Sequence, residues 1–162
     1  MHIMEENFNY RSIKTFEDAC EHLGLNTYNI LHKYQFCPDH IQALIKLEII
    51  TRALNDGWKD PLDDSCPRFG LYGFTLTDRE VQTGRYDDYV QIHYTRPDGS
   101  AGLGCAVSNS GWSYSSSGFG SRLAYKTREL AQYSLETFTE YWESYWFPQS
   151  WHKEVQRPES EW

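Results

Sequence analysis

Two segments of alternating polarity joined by a tight turn constrain the fold of this chain more than any other feature of its sequence. Side chains point to alternate faces along a strand, and residues 89–95 and 101–107 each keep one face apolar. The Asp98-Gly99 pair between them favours a two-residue type I′ turn and predicts an antiparallel β-hairpin. In that hairpin the two apolar faces coincide through the following opposed pairs: Tyr94 with Leu103, Ile92 with Cys105, and Val90 with Val107.

Apolar side chains that recur every three to four residues predict three helices, over residues 15–23, 38–55 and 127–147. Thr15 is a good N-cap for the first helix, and Asp18 three residues later comes close to the capping-box pattern. Pro38 suits the first helical position of the second helix, where a missing N–H costs nothing. The second helix is apolar around most of its circumference, so we expect it to lie at the centre of the fold. Residues 25–36 fit either a short helical turn or a loop.

These elements, with a further strand over residues 69–75, predict an α+β fold. In it, a small antiparallel sheet packs against the three helices, of which the C-terminal one is the longest. The length of 162 residues suits one domain. We assign this domain to residues 15–147, with an N-terminal arm over 1–14 and a C-terminal tail over 148–162.

The composition excludes several classes of protein. Lys and Arg number 15 against 23 Asp and Glu, so the net charge of −8 argues against general duplex-DNA binding, which depends on basic residues. No apolar run is long enough to span a membrane, and the N-terminus lacks the features of a secretory signal. The cysteines have no C-x-x-C spacing, which favours free thiols in a reducing cytosol: Cys20, Cys37, Cys66 and Cys105.

Three sets of reactive side chains do not form a convincing catalytic or metal site. Cys105 and His93 fall on opposite faces of the predicted hairpin, so they cannot act as a nucleophile and its base. Acidic residues in the 56–68 loop lack the ligand spacing of a calcium-binding loop: Asp60, Asp63 and Asp64. The acids of the last helix share one solvent-exposed face, so no burial raises the pKa of one of them for acid–base catalysis. We therefore expect no catalytic residues, no metal and no cofactor.

An acid-free basic segment, from residue 99 to residue 128, is the strongest candidate for a binding surface. Its glycines lead to a helix start, where N–H groups attract anions, and its arginines suit phosphate or carboxylate recognition. Its aromatic side chains are suited to stacking on a base or a sugar. A packed loop whose Arg122 pairs with acids of a helix is the alternative interpretation. The candidate ligand-binding residues are Trp112, Tyr114, Phe119, Gly120, Ser121, Arg122, Lys126 and Arg128.

Three stretches of the chain carry a resemblance to a known family: KTFEDACEHLGL at 14–25, ALIKLEIITRALNDGW at 43–58, and GSRLAYKTRELA at 120–131. They resemble an uncharacterised family of small proteins encoded by bacteriophages and mobile elements of gut anaerobes. The likeness spans most of residues 13–147 and is most specific in the third stretch, whereas residues 1–12, 66–88 and 149–162 differ from the family pattern. It implies a phage or prophage origin and expression inside a bacterium, with no established reaction to carry over.

From these observations we expect a non-enzymatic, phage-encoded accessory protein that binds a host or virion protein, or an anionic, phosphate-bearing ligand. The binding surface is expected over residues 108–128. Two alternatives stay open: a structural component of the virion, and a small hydrolase or nucleotide-processing enzyme. The expected partners are a host or phage protein or a nucleotide-like anion, and neither duplex DNA nor a membrane. The expected location is the cytoplasm of the bacterial host, or the virion, and oligomers are compatible with the sequence.

Overall fold

The computed structural model of the protein describes residues 8–59, 68–77, 79, 83, 91–95, 101–107 and 121–146. The helices in this part are α1 (Phe16–His22), α2 (Thr27–Tyr34), α3 (Asp39–Asn55), α4 (Arg128–Thr137) and α5 (Thr139–Trp146). The strands are β1 (Leu71–Thr77), β2 (Gln91–Thr95) and β3 (Ala101–Val107), and short 3-10 turns cover Tyr10–Ser12 and Ser121–Leu123.

Helix α1 begins at a capping box, as its sequence predicts. The Thr15 hydroxyl accepts a hydrogen bond from the Asp18 N–H at 3.1 Å, and the Asp18 carboxylate accepts from the N–H groups of Lys14 and Thr15, both at 2.9 Å. The bond from the Lys14 N–H is the largest cause that lowers the pKa of Asp18. These bonds satisfy N–H groups that the start of a helix leaves unpaired, so they help to hold a helix that is short.

Helix α2 forms in the segment for which the sequence left a helix and a loop open. Its N-cap is Asn26, whose side chain accepts a hydrogen bond from the Asn29 N–H at 2.9 Å. No residue of α2 is buried, and the helix reaches the core only through partly buried side chains such as Ile30. The cap therefore matters, since a helix of this length is marginal in water on its own.

Helix α3 is the central element, as its nearly continuous apolar pattern predicts, and it packs against α1, α4 and α5. It starts one residue later than predicted, because Pro38 occupies the N-cap rather than the first helical position. It ends at Asp56, whose φ of 44° is left-handed, and Gly57 continues that turn with a φ of 74°. Its buried residues are Ala43, Leu47, Ile49, Ile50, Thr51, Ala53, Leu54 and Asn55.

The predicted single C-terminal helix is divided into two helices, α4 and α5. The break lies at Phe138, whose φ of −118° and ψ of 30° are not helical. The Thr139 hydroxyl donates to the Leu135 carbonyl at 2.6 Å, and such a bond competes with the hydrogen bonds of the helix backbone. Among the described residues the longest helix is therefore α3, with 17 residues, rather than the C-terminal one.

The predicted fold class, a small sheet packed against three helices, is wrong. Helices make up 67% of the residues whose side chains the structure describes. The buried cluster is drawn from helices and the segments that join them, and among the described side chains Leu71 is its single member from a strand. The core is helical because the buried faces of α1, α3, α4 and α5 pack on one another.

The strand segments pair through their backbones in the antiparallel order β1-β3-β2. The predicted pairing of Tyr94 with Leu103 is confirmed. Ile92 pairs with Gly104 rather than with Cys105, because a bulge between Ile92 and Tyr94 shifts the register by one residue. The bulge inserts an extra residue on β2, so Gln91 rather than Ile92 is opposite Cys105.

A buried polar network connects α3 with α4, α5 and the segment that precedes α4. The Thr51 hydroxyl donates to the Tyr125 hydroxyl at 3.0 Å, and the Tyr125 hydroxyl donates to the Ser134 hydroxyl at 2.7 Å. The Trp142 indole N–H donates to the same Ser134 oxygen at 3.2 Å. All four side chains are buried, so the network fixes how residues 121–128 sit against the helices.

Gly73 of β1 lies directly against the ring of Trp146 on α5. A Cβ added at Gly73 would come within 2.7 Å of Trp146 Cδ2, closer than real Cβ contacts allow. We therefore expect Gly73→Ala to lower the free energy of unfolding by about 1–3 kcal/mol, as overpacking does, measured by urea denaturation. The penalty should shrink when Gly73→Ala is made together with Trp146→Ala, and strictly additive effects of the two substitutions would contradict this contact.

Candidate functional site

Within the predicted binding surface, residues 108–128, the described part begins at Ser121. Four of the predicted ligand-binding residues lie outside the described residues, namely Trp112, Tyr114, Phe119 and Gly120. The acidic loop residues Asp60, Asp63 and Asp64 lie outside them as well. Ser121 opens the 3-10 turn that leads to α4, so the backbone here has regular structure. The remaining basic residues of the segment can be placed individually.

Arg122 forms an ion pair with Glu48 of α3, with 3.1 Å between Nη1 and Oε1. This is the pairing with a helix acid that the alternative interpretation of the sequence expects. The two side chains are 74% and 30% exposed, and exposed ion pairs add little to stability. The pair nevertheless places a carboxylate beside this guanidinium, which reduces its attraction for an external anion.

Lys126 closes the C-terminal end of α3. Its backbone N–H donates to the Asn55 side-chain oxygen and its ammonium donates to the Asn55 carbonyl, both at 3.0 Å, while the Asn55 amide donates to the Ala124 carbonyl at 2.8 Å. A cation is favourable at this end of a helix. Asn55 lies seven residues after Glu48, about 10 Å along α3, so Lys126 and Arg122 bind different parts of that helix.

Arg128 is the first residue of α4, which starts one residue later than predicted. Thr127 is its N-cap, and the Thr127 hydroxyl accepts from the Leu130 N–H at 3.3 Å. Arg128 lines a concave surface. This groove has a volume of about 470 Å³ and runs between α4 and the 3-10 turn Tyr10–Ser12. We call it the Tyr10–Arg128 groove, and its lining residues are Tyr10, Arg11, Arg128, Glu129, Gln132, Tyr133, Glu136 and Thr137.

The side chains of Tyr133, Tyr10 and Arg11 lie next to one another at one end of this groove. The rings of Tyr10 and Tyr133 meet edge to face with centroids 5.1 Å apart, and the Arg11 guanidinium lies 5.6 Å from the Tyr10 ring centroid. The Tyr133 hydroxyl donates to the Ile13 carbonyl at 2.9 Å. Because Ile13 is buried, that hydrogen bond anchors the N-terminal turn against α4.

The groove carries two cations and two carboxylates. A side-chain hydrogen bond with Tyr10 is the main cause that raises the pKa of Arg11, which keeps this group protonated. No carboxylate among the described residues lies within ion-pair distance of Arg11. Of the two acids, Glu136 accepts a hydrogen bond from the Gln132 amide at 2.7 Å, and Glu129 is exposed at the start of α4.

A second groove, between α3 and α5, has a volume of about 370 Å³. The cation in its wall is Lys46, whose Nζ lies 4.7 Å from the Tyr141 ring centroid. Asp39 and Glu140 also line it. With acids in excess of cations, it is less suited to an anion than the Tyr10–Arg128 groove.

Tyr10 and Arg11 are functional candidates that the sequence did not indicate, since they fall in the segment assigned to the N-terminal arm. The available signal was Asn9, a residue type that favours the cap of a helical turn. Its side chain accepts from the Arg11 N–H at 3.1 Å. The cap predicts the local turn, although it does not predict which helix the turn packs against.

Neither a metal cluster nor a membrane span is found in the part of the chain that the structure describes. No group of three or more His, Cys, Asp or Glu in this part is placed to hold a metal ion. None of its helices is both long and apolar enough to cross a bilayer. Searches against models of known protein families, curated proteins and solved structures gave no match to this chain.

Proposed function

We propose that this protein acts by binding an anionic, phosphate-bearing ligand in the Tyr10–Arg128 groove. The observation that carries the proposal is that two guanidinium groups, of Arg11 and Arg128, line one concavity together with two tyrosine rings. Guanidinium groups form paired hydrogen bonds with phosphate oxygens, and aromatic faces stack on bases and sugars. A nucleotide offers both kinds of group to such a groove.

The charge distribution of the chain supports this location. With a net charge of −8, most of the surface repels an anion, whereas the two arginines of the groove balance its two glutamates. Arg122 and Lys126 of the predicted segment have intramolecular partners in Glu48 and Asn55. The proposed site keeps Arg128 from the predicted set and adds Arg11 from the N-terminal turn, because both side chains line the groove.

Binding, rather than catalysis, is the role that these groups suit. Guanidinium groups remain protonated at neutral pH and cannot act as general bases. The carboxylates of Glu129 and Glu136 are exposed to solvent. The ordered part of the groove, with the Arg11 guanidinium over Tyr10 and Tyr133 hydrogen-bonded to Ile13, provides preformed contacts for a ligand.

Replacing one guanidinium tests the proposal. We expect wild-type protein to bind ATP in isothermal titration calorimetry and Arg128→Ala to weaken the binding by on the order of ten- to a hundredfold, since a charge-assisted hydrogen bond is lost. Glu136→Gln should tighten binding about two- to fivefold, because it removes a like charge from the groove.

The matched control is Arg52→Ala, which removes the same charge from an exposed position on α3. This variant should bind ATP as the wild type does. A wild-type protein that shows no binding of ATP, ADP or inorganic pyrophosphate at millimolar concentration would overturn the proposal. Equal weakening of ATP binding by Arg52→Ala and Arg128→Ala would also overturn it, because the binding would then be a non-specific charge effect.

The origin of the chain is a second part of this proposal. The GSRLAYKTRELA stretch supports a phage or mobile-element protein that works in the cytoplasm of its bacterial host. Mass spectrometry of purified phage particles tests it against the virion alternative. A protein found in induced cells and not in particles agrees with an accessory role, and stoichiometric amounts in particles contradict it.

A further inference from the structure

We propose that α2 and the turn after it form a docking surface for a partner protein that presents apolar side chains flanked by carboxylates. This surface is separate from the Tyr10–Arg128 groove and does not depend on the function proposed for it. We call it the α2 surface, and it consists of Tyr28, Leu31, His32, Lys33 and Phe36.

Large apolar side chains are exposed to solvent on this surface. Tyr28 is 72% exposed, Leu31 38% and Phe36 92%. They are the large hydrophobic residues that the described part of the structure leaves exposed, and all three fall within nine consecutive positions. Single exposed apolar residues are ordinary, but a cluster on one element indicates an interaction site.

The helix geometry places two of these side chains together, and Phe36 follows in the turn after the helix. Tyr28 and Leu31 are three residues apart on α2 and therefore neighbours on its surface. Ile30, on the opposite side, is partly buried against the core and holds the helix in place. The Tyr28 ring stacks on the His32 ring with centroids 5.8 Å apart, which orders part of the exposed face.

The charges around this face determine the kind of partner. Between Glu21 and Asp39 the chain has no acidic residue, although the whole protein has a net charge of −8. Lys33 and His32 are exposed beside the apolar side chains. A complementary surface is therefore apolar with carboxylates at its rim, since complementary potentials favour association.

A second copy of this chain fits the surface less well than such a partner. A two-fold symmetric dimer through this face would oppose the same patch on both copies, and this patch has no carboxylate to pair with either Lys33. An amphipathic helix with leucines on one side and glutamates on the other satisfies both the apolar and the basic groups. The surface is small, so affinity on the order of micromolar is expected.

Two labelled synthetic helical peptides test this assignment by fluorescence anisotropy with the full chain. Both carry leucine at i, i+3, i+4 and i+7, one with glutamate and the other with lysine at the remaining positions. We expect the glutamate peptide to bind the wild type, and Phe36→Ser or Leu31→Ser to weaken it about tenfold or more. Lys33→Glu should reverse the preference between the peptides.

Asn29→Ala is the matched control, because Asn29 is exposed on the same helix and should leave binding unchanged. Circular dichroism checks that each variant is folded, and Lys33→Glu keeps the apolar side chains in place if a serine variant unfolds. The proposal is overturned if the wild type does not bind the glutamate peptide, or binds both peptides equally. Binding of the protein to phosphatidylserine vesicles and its self-association in sedimentation test a membrane and a second copy as the occupant. The proposal is also overturned if Phe36→Ser abolishes either of these while peptide binding is unaffected.

Discussion

Trp142→Ala is expected to lower the free energy of unfolding by about 3–5 kcal/mol, as truncation of a large buried aromatic side chain does. Trp142 is 0% exposed and packs beside Tyr145 and Trp146. Its indole N–H also donates to Ser134, so the substitution removes a hydrogen bond and leaves a cavity. Urea denaturation followed by circular dichroism measures the loss. Since domains of this kind have only about 5–15 kcal/mol of stability, the change should be large.

Two further variants separate the cavity from the hydrogen bond. Trp142→Phe retains most of the buried volume and should lose about 1–2 kcal/mol, mainly from the missing N–H donor. Phe36→Ala removes an aromatic side chain that is 92% exposed and should change stability by less than about 0.5 kcal/mol. If Trp142→Ala were no more damaging than Phe36→Ala, the helical core described above would be incorrect.

Stability should fall steeply in alkali because of Tyr125. Burial raises the pKa of Tyr125 to about 12, although its hydrogen bonds with Ser134 and Thr51 act in the opposite direction. An unfolded tyrosine titrates near pH 10, so between about pH 10 and 12 the unfolded state binds fewer protons than the folded state. The contribution is fully present below pH 10, and about 3 kcal/mol of it is lost as the pH rises to 12. Burial also raises the pKa of Cys20 and Tyr141, which act in the same direction.

Tyr125→Phe isolates the contribution of this residue. Urea denaturation at several pH values between 8 and 12 gives the free energy of unfolding as a function of pH. Above pH 10 its slope should be shallower for the variant, by an amount that corresponds to close to one proton. At neutral pH it should be less stable by about 1 kcal/mol, because the Tyr125 hydroxyl bonds are absent. Tyr28→Phe, at a position 72% exposed, should leave the slope unchanged. Identical slopes for wild type and Tyr125→Phe would show that this hydroxyl does not titrate as proposed.

The elements that the sequence predicted well are those specified by neighbouring residues. The capping pair Thr15 and Asp18 marks the start of α1, and the nearly continuous apolar pattern of residues 38–55 marks a central helix. The Asp98-Gly99 turn signal predicted the pairing of Tyr94 with Leu103. In each case the information lies within a few residues along the chain.

The predictions that failed depend on contacts which periodicity does not encode. Apolar spacing continues through Phe138, so it gives no sign of the break between α4 and α5, where Phe138 leaves the helical conformation. The β2 bulge has no signal in the alternation of polarity. The helical core formed because α1, α4 and α5 each pack against α3, a set of contacts that spans distant parts of the chain.

For the candidate site, too, the sequence predicted local features and missed the contacts between distant residues. The basic character of residues 122–128 is visible in the sequence, but the partners of Arg122 and Lys126 are Glu48 and Asn55, which lie on a distant helix. Arg11 and Arg128 line the same groove because the N-terminal turn packs against α4, where the Tyr133 hydroxyl donates to the Ile13 carbonyl. Such pairings arise from tertiary packing and cannot be predicted from local composition.

NMR spectra of the arginine side-chain N–H groups during titration with ATP test the proposed site most directly. The signals of Arg11 and Arg128 should shift together and give a single Kd, while the signal of Arg52 on α3 stays in place. Absence of any shift at Arg11 and Arg128 up to millimolar ATP, or equal shifts of Arg52 and other exposed arginines, would contradict a ligand site between the N-terminal turn and α4.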